Sequence, residues 1–187
     1  GYTTSSAFPG TTGGAQSSYG GNGDAFVSLL AANLKSITQS TFLGGSATDD
    51  AWALALGEQG IYIGGGTAST NFPGATAGAQ PLYGGGSGDA FVSLLSPDLT
   101  SLTQATYLGG SGYDRAFAIG IGATDVYVAG STASANFPNT TGGAQPALSG
   151  SYDAFIARLD TALRSALVTP SVSGGHGTIT PAAPQSV

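Results

Sequence analysis

The sequence contains no cysteine and no methionine. Without cysteine there are no disulfides, no thiolate metal site and no thiol nucleophile. Charge is also scarce, because the 187 residues include 4 basic and 10 acidic ones, for a net charge of −6 at pH 7. Four cations cannot neutralise a run of phosphates, and nucleic-acid binding is therefore close to excluded. The same shortage disfavours docking on an anionic membrane. No apolar run approaches the roughly 18 residues of a membrane-spanning helix.

Glycine is abundant, with 32 residues, and 9 prolines add to it. This level approaches that of a disordered chain, but a hydrophobic fraction of 41% with 8 tyrosines and 8 phenylalanines indicates a folded one. The composition therefore predicts a glycine-rich, β-rich globular module. Low charge, many serines and threonines and the lack of oxidisable sulfur are typical of secreted bacterial surface proteins, so we expect a secreted, extracellular or cell-surface location.

Several short motifs recur with a period of about 65 residues. They are Phe-Pro at Phe8, Phe72 and Phe137, Gly-Ala-Gln ending at Gln16, Gln80 and Gln145, and Asp-Ala-Phe beginning at Asp24, Asp89 and Asp153. Thr-Phe-Leu-Gly-Gly-Ser begins at Thr41, and its copy Thr-Tyr-Leu-Gly-Gly-Ser begins at Thr106. Because several markers keep one period, the chain is a tandem array.

Each period contains four short apolar segments typical of strands. In the second period they lie at residues 51–56, 61–63, 89–95 and 101–108. No segment has helical periodicity, and glycine at this density opposes a helix. Small residues on the second strand face allow sheets to pack closely, as the blades of a propeller require. We therefore predict an all-β fold of tandem four-stranded antiparallel blades, a β-propeller-like repeat array that is incomplete as a single chain.

The Leu-Gly-Gly-Ser, Phe-Pro and Gly-Asp-Ala-Phe-Val motifs resemble the bacterial SBBP repeat, a family named for a proposed seven-bladed β-propeller. The resemblance covers roughly residues 1–168. It implies large secreted or surface proteins, mostly without an assigned activity, and no catalytic residues. The chain departs from the pattern, with three Asp-Ala-Phe units but only two Leu-Gly-Gly units, so we expect it to begin inside a blade.

The period places a partial first blade at residues 1–40, a second blade at 41–105, a third at 106–170 and a tail at 171–187. The smallest propellers use about four blades, so we expect this array to leave open strand edges, which recruit other strands. A homo-oligomer, as a ring or a filament, or further repeats of a longer chain would cover them. The tail is either a linker or a strand added to a neighbour.

The recurrent aspartates Asp24, Asp89 and Asp153 are the main polar candidates. One interpretation is a repeated Ca²⁺ or sugar-hydroxyl site in each blade. The interpretation we favour is that each carboxylate accepts hydrogen bonds from backbone N–H groups of the turn before its strand. The sequence therefore assigns no metal and no cofactor, with Ca²⁺ as the alternative.

Two other acidic positions and the only histidine are weaker candidates. Asp49-Asp50 could serve as a carboxylate pair of the kind that glycosidases use, but its copy is Asp114-Arg115. We therefore expect a solvated loop, or a salt link between Asp114 and Arg115. His176 lies in the tail without an acidic neighbour, which predicts an exposed linker residue.

Large apolar side chains fall into three sets. Those predicted to be buried between sheets are Trp52, Leu54, Leu56, Phe91, Phe117, Ile119 and Phe155. Those that precede proline, and are expected to anchor their loops on the blades, are Phe8, Phe72 and Phe137. Those in glycine-rich loops, which are the candidates for surface contacts, are Tyr19, Tyr83 and Tyr152.

These patterns together predict an extracellular structural, self-assembling or protein-interaction module with no catalysis of its own. The alternative is a carbohydrate- or Ca²⁺-binding repeat module of a larger secreted protein, with polysaccharide as its partner. An enzyme would need catalytic residues supplied by other domains.

Overall fold

The computed structural model describes residues 1–164 in full and Ala166–Pro170 through its backbone. Within this range the chain is all-β and forms three antiparallel sheets, none of which closes. The strands are β1 (Tyr2–Thr3), β2 (Asp24–Leu30), β3 (Ile37–Leu43), β4 (Asp49–Gly57), β5 (Gly60–Thr67), β6 (Asp89–Leu95), β7 (Leu102–Leu108), β8 (Asp114–Ile121), β9 (Asp125–Thr132), β10 (Asp153–Asp160) and β11 (Ala166–Pro170). A 3-10 turn covers Ala75–Ala77, and among the described residues no helix has the length and apolar character needed to cross a membrane.

The strands of each sheet are consecutive in the chain. The first sheet has the order β1-β2-β3, the second β4-β5-β6-β7 and the third β8-β9-β10-β11. The predicted fold class, antiparallel blades of an incomplete propeller-like array, is confirmed. The predicted blade boundaries at residues 40 and 105 fall inside β3 and β7, because these strands continue to Leu43 and Leu108.

The hydrophobic core lies between the sheets. One cluster is enclosed by the first and second sheets and another by the second and third. Phe91 and Phe155 are fully buried in these clusters, as predicted, and Ile119 is partly buried against the second cluster. Burial of one such ring contributes roughly 1.5–3 kcal/mol, so contact between sheets is a main source of stability.

Glycines allow the second and third sheets to approach each other. A methyl group on Gly64 of β5 would lie 3.0 Å from Cδ1 of Ile119 and 3.4 Å from Cβ of Ala116, both on β8. The side chains of β8 therefore pack directly on the backbone of β5. For this reason β5 continues through the glycine run to Thr67, although glycine usually weakens a strand.

Four residues predicted to be buried are exposed, and that prediction was wrong. They are Trp52, Leu54 and Leu56 on β4 and Phe117 on β8, with exposed fractions from 48% to 73%. Both strands are the first of their sheets. The described residues cover their large side chains only in part, since the Trp52 and Phe117 rings contact each other edge-on at 6.4 Å but stay largely exposed. A β-bulge adds to the error, because Ala51 pairs with Gly65 and Ala53 with Gly64, so Trp52 is the extra residue.

The Phe-Pro loops are anchored as expected. Phe72 and Phe137 are buried and Phe8 is half-buried. Their ring centroids lie 4.4, 4.6 and 4.2 Å from those of Phe91, Phe155 and Phe26 respectively. In the second sheet the Tyr107 hydroxyl also accepts a hydrogen bond from the Phe72 backbone N–H at 2.9 Å.

We expect Phe91→Ala to lower the free energy of unfolding by about 3–5 kcal/mol, because it leaves a cavity between two sheets. Leu56→Ala should change it by less than about 0.5 kcal/mol, since this side chain is 73% exposed. Urea unfolding of both variants, at a concentration where the chain is monomeric, measures the difference. Equal costs would contradict the assignment of the covered face.

Candidate functional site: polar joints between the sheets

Each sheet contains a buried aspartate at an equivalent strand start. Asp24, Asp89 and Asp153 begin β2, β6 and β10, and all three are buried. In each case Oδ2 accepts a hydrogen bond from a backbone N–H of the preceding loop. The donors are Gly20 at 2.8 Å, Gly84 at 2.6 Å and Ser149 at 2.8 Å. The aspartates therefore hold the glycine-rich loops against the strands.

The glutamine of the Gly-Ala-Gln motif connects this aspartate to the turn that leads into the next sheet. Nε2 of Gln80 donates to Oδ2 of Asp89 at 3.3 Å, while its Oε1 accepts from the backbone N–H of Gly109 at 3.0 Å. Gln16 makes the same two contacts one period earlier. One side chain thus joins the start of β6 to the end of β7, where the turn into the next sheet begins.

A second buried aspartate begins the first strand of the following sheet. Asp114 begins β8, and its Oδ2 accepts hydrogen bonds from the backbone N–H of Gly110 at 2.9 Å and the hydroxyl of Ser134 at 2.7 Å. Asp49 makes the equivalent bonds at the start of β4. These bonds close the Gly-Gly turn.

The two aspartates at each junction flank one glycine. A methyl group on Gly109 would lie 2.7 Å from Oδ2 of Asp114 and 2.7 Å from Cγ of Asp89. Gly44 has the same position one period earlier. We call each set of glutamine, glycine and two aspartates a polar joint. The first joint consists of Gln16, Asp24, Gly44 and Asp49, and the second of Gln80, Asp89, Gly109 and Asp114.

Backbone bonds reinforce both joints. The backbone N–H of Asp49 donates to the carbonyl of Gly23 at 2.8 Å, and that of Asp114 donates to the carbonyl of Gly88 at 2.8 Å. Isolated parallel bridges pair Gly23 with Thr48 and Gly88 with Tyr113. Successive sheets are therefore hydrogen-bonded to each other as well as packed.

Burial makes three of the joint carboxyl groups, those of Asp24, Asp49 and Asp89, hard to ionise. Oδ1 of Asp24, Asp89 and Asp114 is buried without a hydrogen-bond partner. Burial, with the negative charge of Asp114 adding to it, raises the pKa of Asp89 to about 7. Burial raises the pKa of Asp49 to about 6, and it also raises the pKa of Asp24.

The structure places Asp24, Asp89 and Asp153 in three different sheets, so they do not form one cluster. Among the described residues, no group of three or more His, Cys, Asp or Glu side chains could hold a metal ion. The hydrogen bonds of the joints fix the turns and connect neighbouring sheets. His176 and the tail at 171–187 lie outside the described residues.

The three tyrosines named as surface candidates differ in their surroundings. The Tyr19 ring lies edge-on to Phe42 at 5.8 Å, and Tyr83 lies edge-on to Tyr107 at 5.9 Å. Both are half-buried, whereas Tyr152 is exposed. Tyr19 and Tyr83 therefore belong partly to the core, and Tyr152 presents a free ring surface.

The expectation of a solvated loop at Asp49 and Asp114 was wrong, because both are buried at strand starts. Arg115 does not contact Asp114, since neighbouring residues of a strand point to opposite faces. Its guanidinium lies 4.3 Å from the centre of the Tyr113 ring and 5.7 Å from that of Trp52.

Sequence reasoning missed the residues that receive the turn into each new sheet. Oδ1 of Asn136 accepts hydrogen bonds from the backbone N–H and the hydroxyl of Ser111, both at 2.8 Å, and Oγ of Ser134 accepts one from the backbone N–H of Gly112. Ser69 and Asn71 have these roles in the preceding period. The recurrence of Thr-Ala-Ser-x-Asn-Phe-Pro at 67–73 and 132–138 was the available signal.

No protein-family model matches this sequence, and no curated protein matches it. The resemblance to the SBBP repeat therefore stays a prediction based on the motifs.

We expect the protein to be more stable at pH 5 than at pH 8. Asp49 and Asp89 have folded-state pKa values of about 6 and 7 against an ordinary 3.8, so the folded state binds more protons than the unfolded state between these limits. Their stabilising contribution is complete below about pH 4 and is lost as the pH rises through 6 and 7. Urea unfolding should show a decrease on the order of 2–4 kcal/mol from pH 5 to pH 8. Stability that is constant or rises over this range would contradict the burial of these carboxyl groups.

Gly109→Ala should destabilise the fold by about 1–3 kcal/mol, because the new methyl group would overlap both carboxyl groups of the second joint. Gly120→Ala is the matched control in β8, where a methyl group would meet nothing within 4 Å. The control should be neutral or slightly stabilising. Thermal unfolding of the two variants checks this. A neutral Gly109→Ala would show that the joint is looser than described.

Proposed function

We propose that this chain is an extracellular, non-enzymatic module that assembles with further blades or strands through the open edge of its first sheet. The observation that carries the proposal is the unequal pairing of β2 and its equivalent β6. Strand β6 pairs with β5 from Ile61 to Thr67. Among the described residues, only Gly1 to Thr3 pair with this side of β2, and they reach no further than Phe26. The inner edge of β2 is therefore open from Val27 to Leu30.

A groove of about 350 Å³ runs beside this open edge. Val27 and Leu30 of β2 form one side, and Trp52 and Leu54 of β4 form the other. Exposed apolar surface next to an unpaired strand edge is the arrangement that accepts an added strand, since the edge supplies hydrogen bonds and the groove supplies burial. The second sheet supports this, because β5 and β4 occupy the corresponding space there.

The location and the repeat type are part of the same proposal. Few charges, no cysteine and no methionine support an extracellular environment. The recurrent motifs support an SBBP-type repeat, in which this chain would be one section of a blade array. The carbohydrate- or Ca²⁺-binding alternative has less support, since Tyr152 alone of the three candidate tyrosines is exposed. A glycan array and a calcium titration test that alternative.

The test is whether the purified chain associates and whether the groove is responsible. We expect concentration-dependent association in native mass spectrometry and light scattering, with rings or filaments in negative-stain images. Leu54→Lys places a charge in the groove and should prevent association, while the free energy of unfolding stays nearly constant because Leu54 is 56% exposed.

Leu82→Lys is the matched control, since Leu82 is also exposed but does not line the groove. It should associate as the unmodified chain does. A chain that remains monomeric at high concentration, or a Leu54→Lys variant that associates normally, would contradict the proposed role of the groove.

A further inference from the structure

Three equivalent turns each hold a leucine in the left-handed backbone region. They follow β2, β6 and β10, and the φ angles of Leu34, Leu99 and Leu163 are 58°, 61° and 58°. This region is unfavourable for a residue with a side chain and is usually taken by glycine. A leucine kept there in all three turns indicates that the side chain itself is needed.

Two of these leucines insert into the preceding sheet. Leu99 and Leu163 are fully buried, Leu99 in the cluster shared with the first sheet and Leu163 in the cluster shared with the second. Their backbone carbonyls accept hydrogen bonds from the backbone N–H groups of Ala15 at 2.8 Å and Ala79 at 2.9 Å. Each alanine belongs to a Gly-Ala-Gln motif, so the sheet-to-sheet contact is itself repeated.

The turn of Leu163 makes a further contact with the second sheet. The hydroxyl of Tyr62 donates to the backbone carbonyl of Thr161 at 2.7 Å, and Nε2 of Gln59 donates to the Thr161 hydroxyl at 2.8 Å. Tyr62 is only 1% exposed as a result. The position of the third sheet on the second is therefore fixed by three contacts: the buried Leu163 side chain, the Ala79 N–H and the Tyr62 hydroxyl.

Residues equivalent to both halves of this contact are exposed in the first and third sheets of the described part of the chain. Leu34 is 75% exposed, whereas its two equivalents are fully buried. Tyr127 is 43% exposed, although it has the repeat position of Tyr62. Ala144, the alanine of the third Gly-Ala-Gln, is also exposed.

Strand β10 of the third sheet is also more exposed than its equivalent, β6, in the second sheet. Ile156 of β10 is exposed where its equivalent Val92 is fully buried. Arg158 stands at the position of Leu94 and forms an exposed ion pair with Asp125 at 3.7 Å, so the surface is apolar near Ile156 with a polar margin.

We infer that the turn of Leu34 docks on the third sheet of a second copy of this chain. The Leu34 carbonyl would accept from the Ala144 N–H, and the Tyr127 hydroxyl would donate to the carbonyl of Ala32, as in the internal contact. The second copy is the partner because its third sheet carries the alanine and the tyrosine that the internal contact uses. This head-to-tail contact rests on the assembly proposed above and gives a ring or a filament.

The first test is Leu34→Gly, which removes the side chain and relieves the left-handed backbone. Folding should be unchanged or more stable, while the dissociation constant for self-association should rise at least about tenfold. Leu82→Gly is the control, because Leu82 is as exposed as Leu34, at 76%, but lies outside the proposed contact; this variant should associate as the unmodified chain does. Sedimentation velocity at several concentrations measures all three proteins.

The second test uses the lack of cysteine in the chain. A chain with Lys35→Cys is mixed with a chain with Ala144→Cys under mild oxidation, and mass spectrometry should find the mixed disulfide between positions 35 and 144. Arg164→Cys with Ala79→Cys in one chain is the internal control, since these residues neighbour the equivalent contact seen between the second and third sheets.

The outcomes separate the two proposals. A weakened Leu34→Gly variant together with the mixed disulfide supports the docking of Leu34. Association that Leu54→Lys prevents and Leu34→Gly leaves unchanged would overturn this docking and keep the groove as the assembly site. Formation of the internal disulfide without the mixed one would overturn it too. A wild-type chain that never associates would overturn both proposals.

Discussion

A carboxyl group buried at a strand start needs hydrogen-bond donors on at least one of its oxygens, and at each joint the donors to Oδ2 fix the turns that connect one sheet to the next. In the second joint the donors for Asp89 come from a loop glycine and from Gln80, and Gln80 also holds the turn into the third sheet. Only glycine fits between Asp89 and Asp114. Because desolvation of a carboxyl is costly unless its oxygens are paired, any displacement of one sheet from the next would remove bonds that neither sheet can replace alone.

The main contacts between sheets join sheets that are neighbours in the chain, as in repeat proteins whose stability is a sum of repeat and interface contributions. Strands β5 and β6 of the second sheet are covered on both sides, and the clusters around Phe91 and Phe155 show what a complete interface contains. The first and third sheets each have one such interface. The exposed side chains of Leu34, Trp52 and Tyr127 lie where this repeating contact between sheets is missing. They account for part of the apolar surface that the described residues expose to solvent.

Much of the fold could be predicted from the sequence because the period marks every repeat. The strand 89–95 and the anchoring of Phe72 and Phe137 follow from local patterns, and the structure has them. The sequence does not show which face of β4 is covered. Large and small apolar residues alternate along this strand, so either set could face the core, and the bulge at Trp52 shifts the alternation by one residue. The candidate site could be predicted only in part. Asp89 and Gln80 recur with the period, but the position of Asp114 after Leu-Gly-Gly-Ser indicates a loop residue rather than a buried one. Burial depends on the next sheet, which local sequence does not describe.

The parallel bridges at Gly23–Thr48 and Gly88–Tyr113 also decide how the chain carries tension. The bond from the Asp114 N–H to the Gly88 carbonyl joins the first strand of the third sheet to the third strand of the second. A pull on one sheet is therefore transmitted to its neighbour through the backbone at the joint, in addition to the covalent connection. The loop between β7 and β8 cannot extend until this bond and the carboxyl contacts around Gly109 have separated. A stack of such sheets therefore resists stretching at each joint in turn.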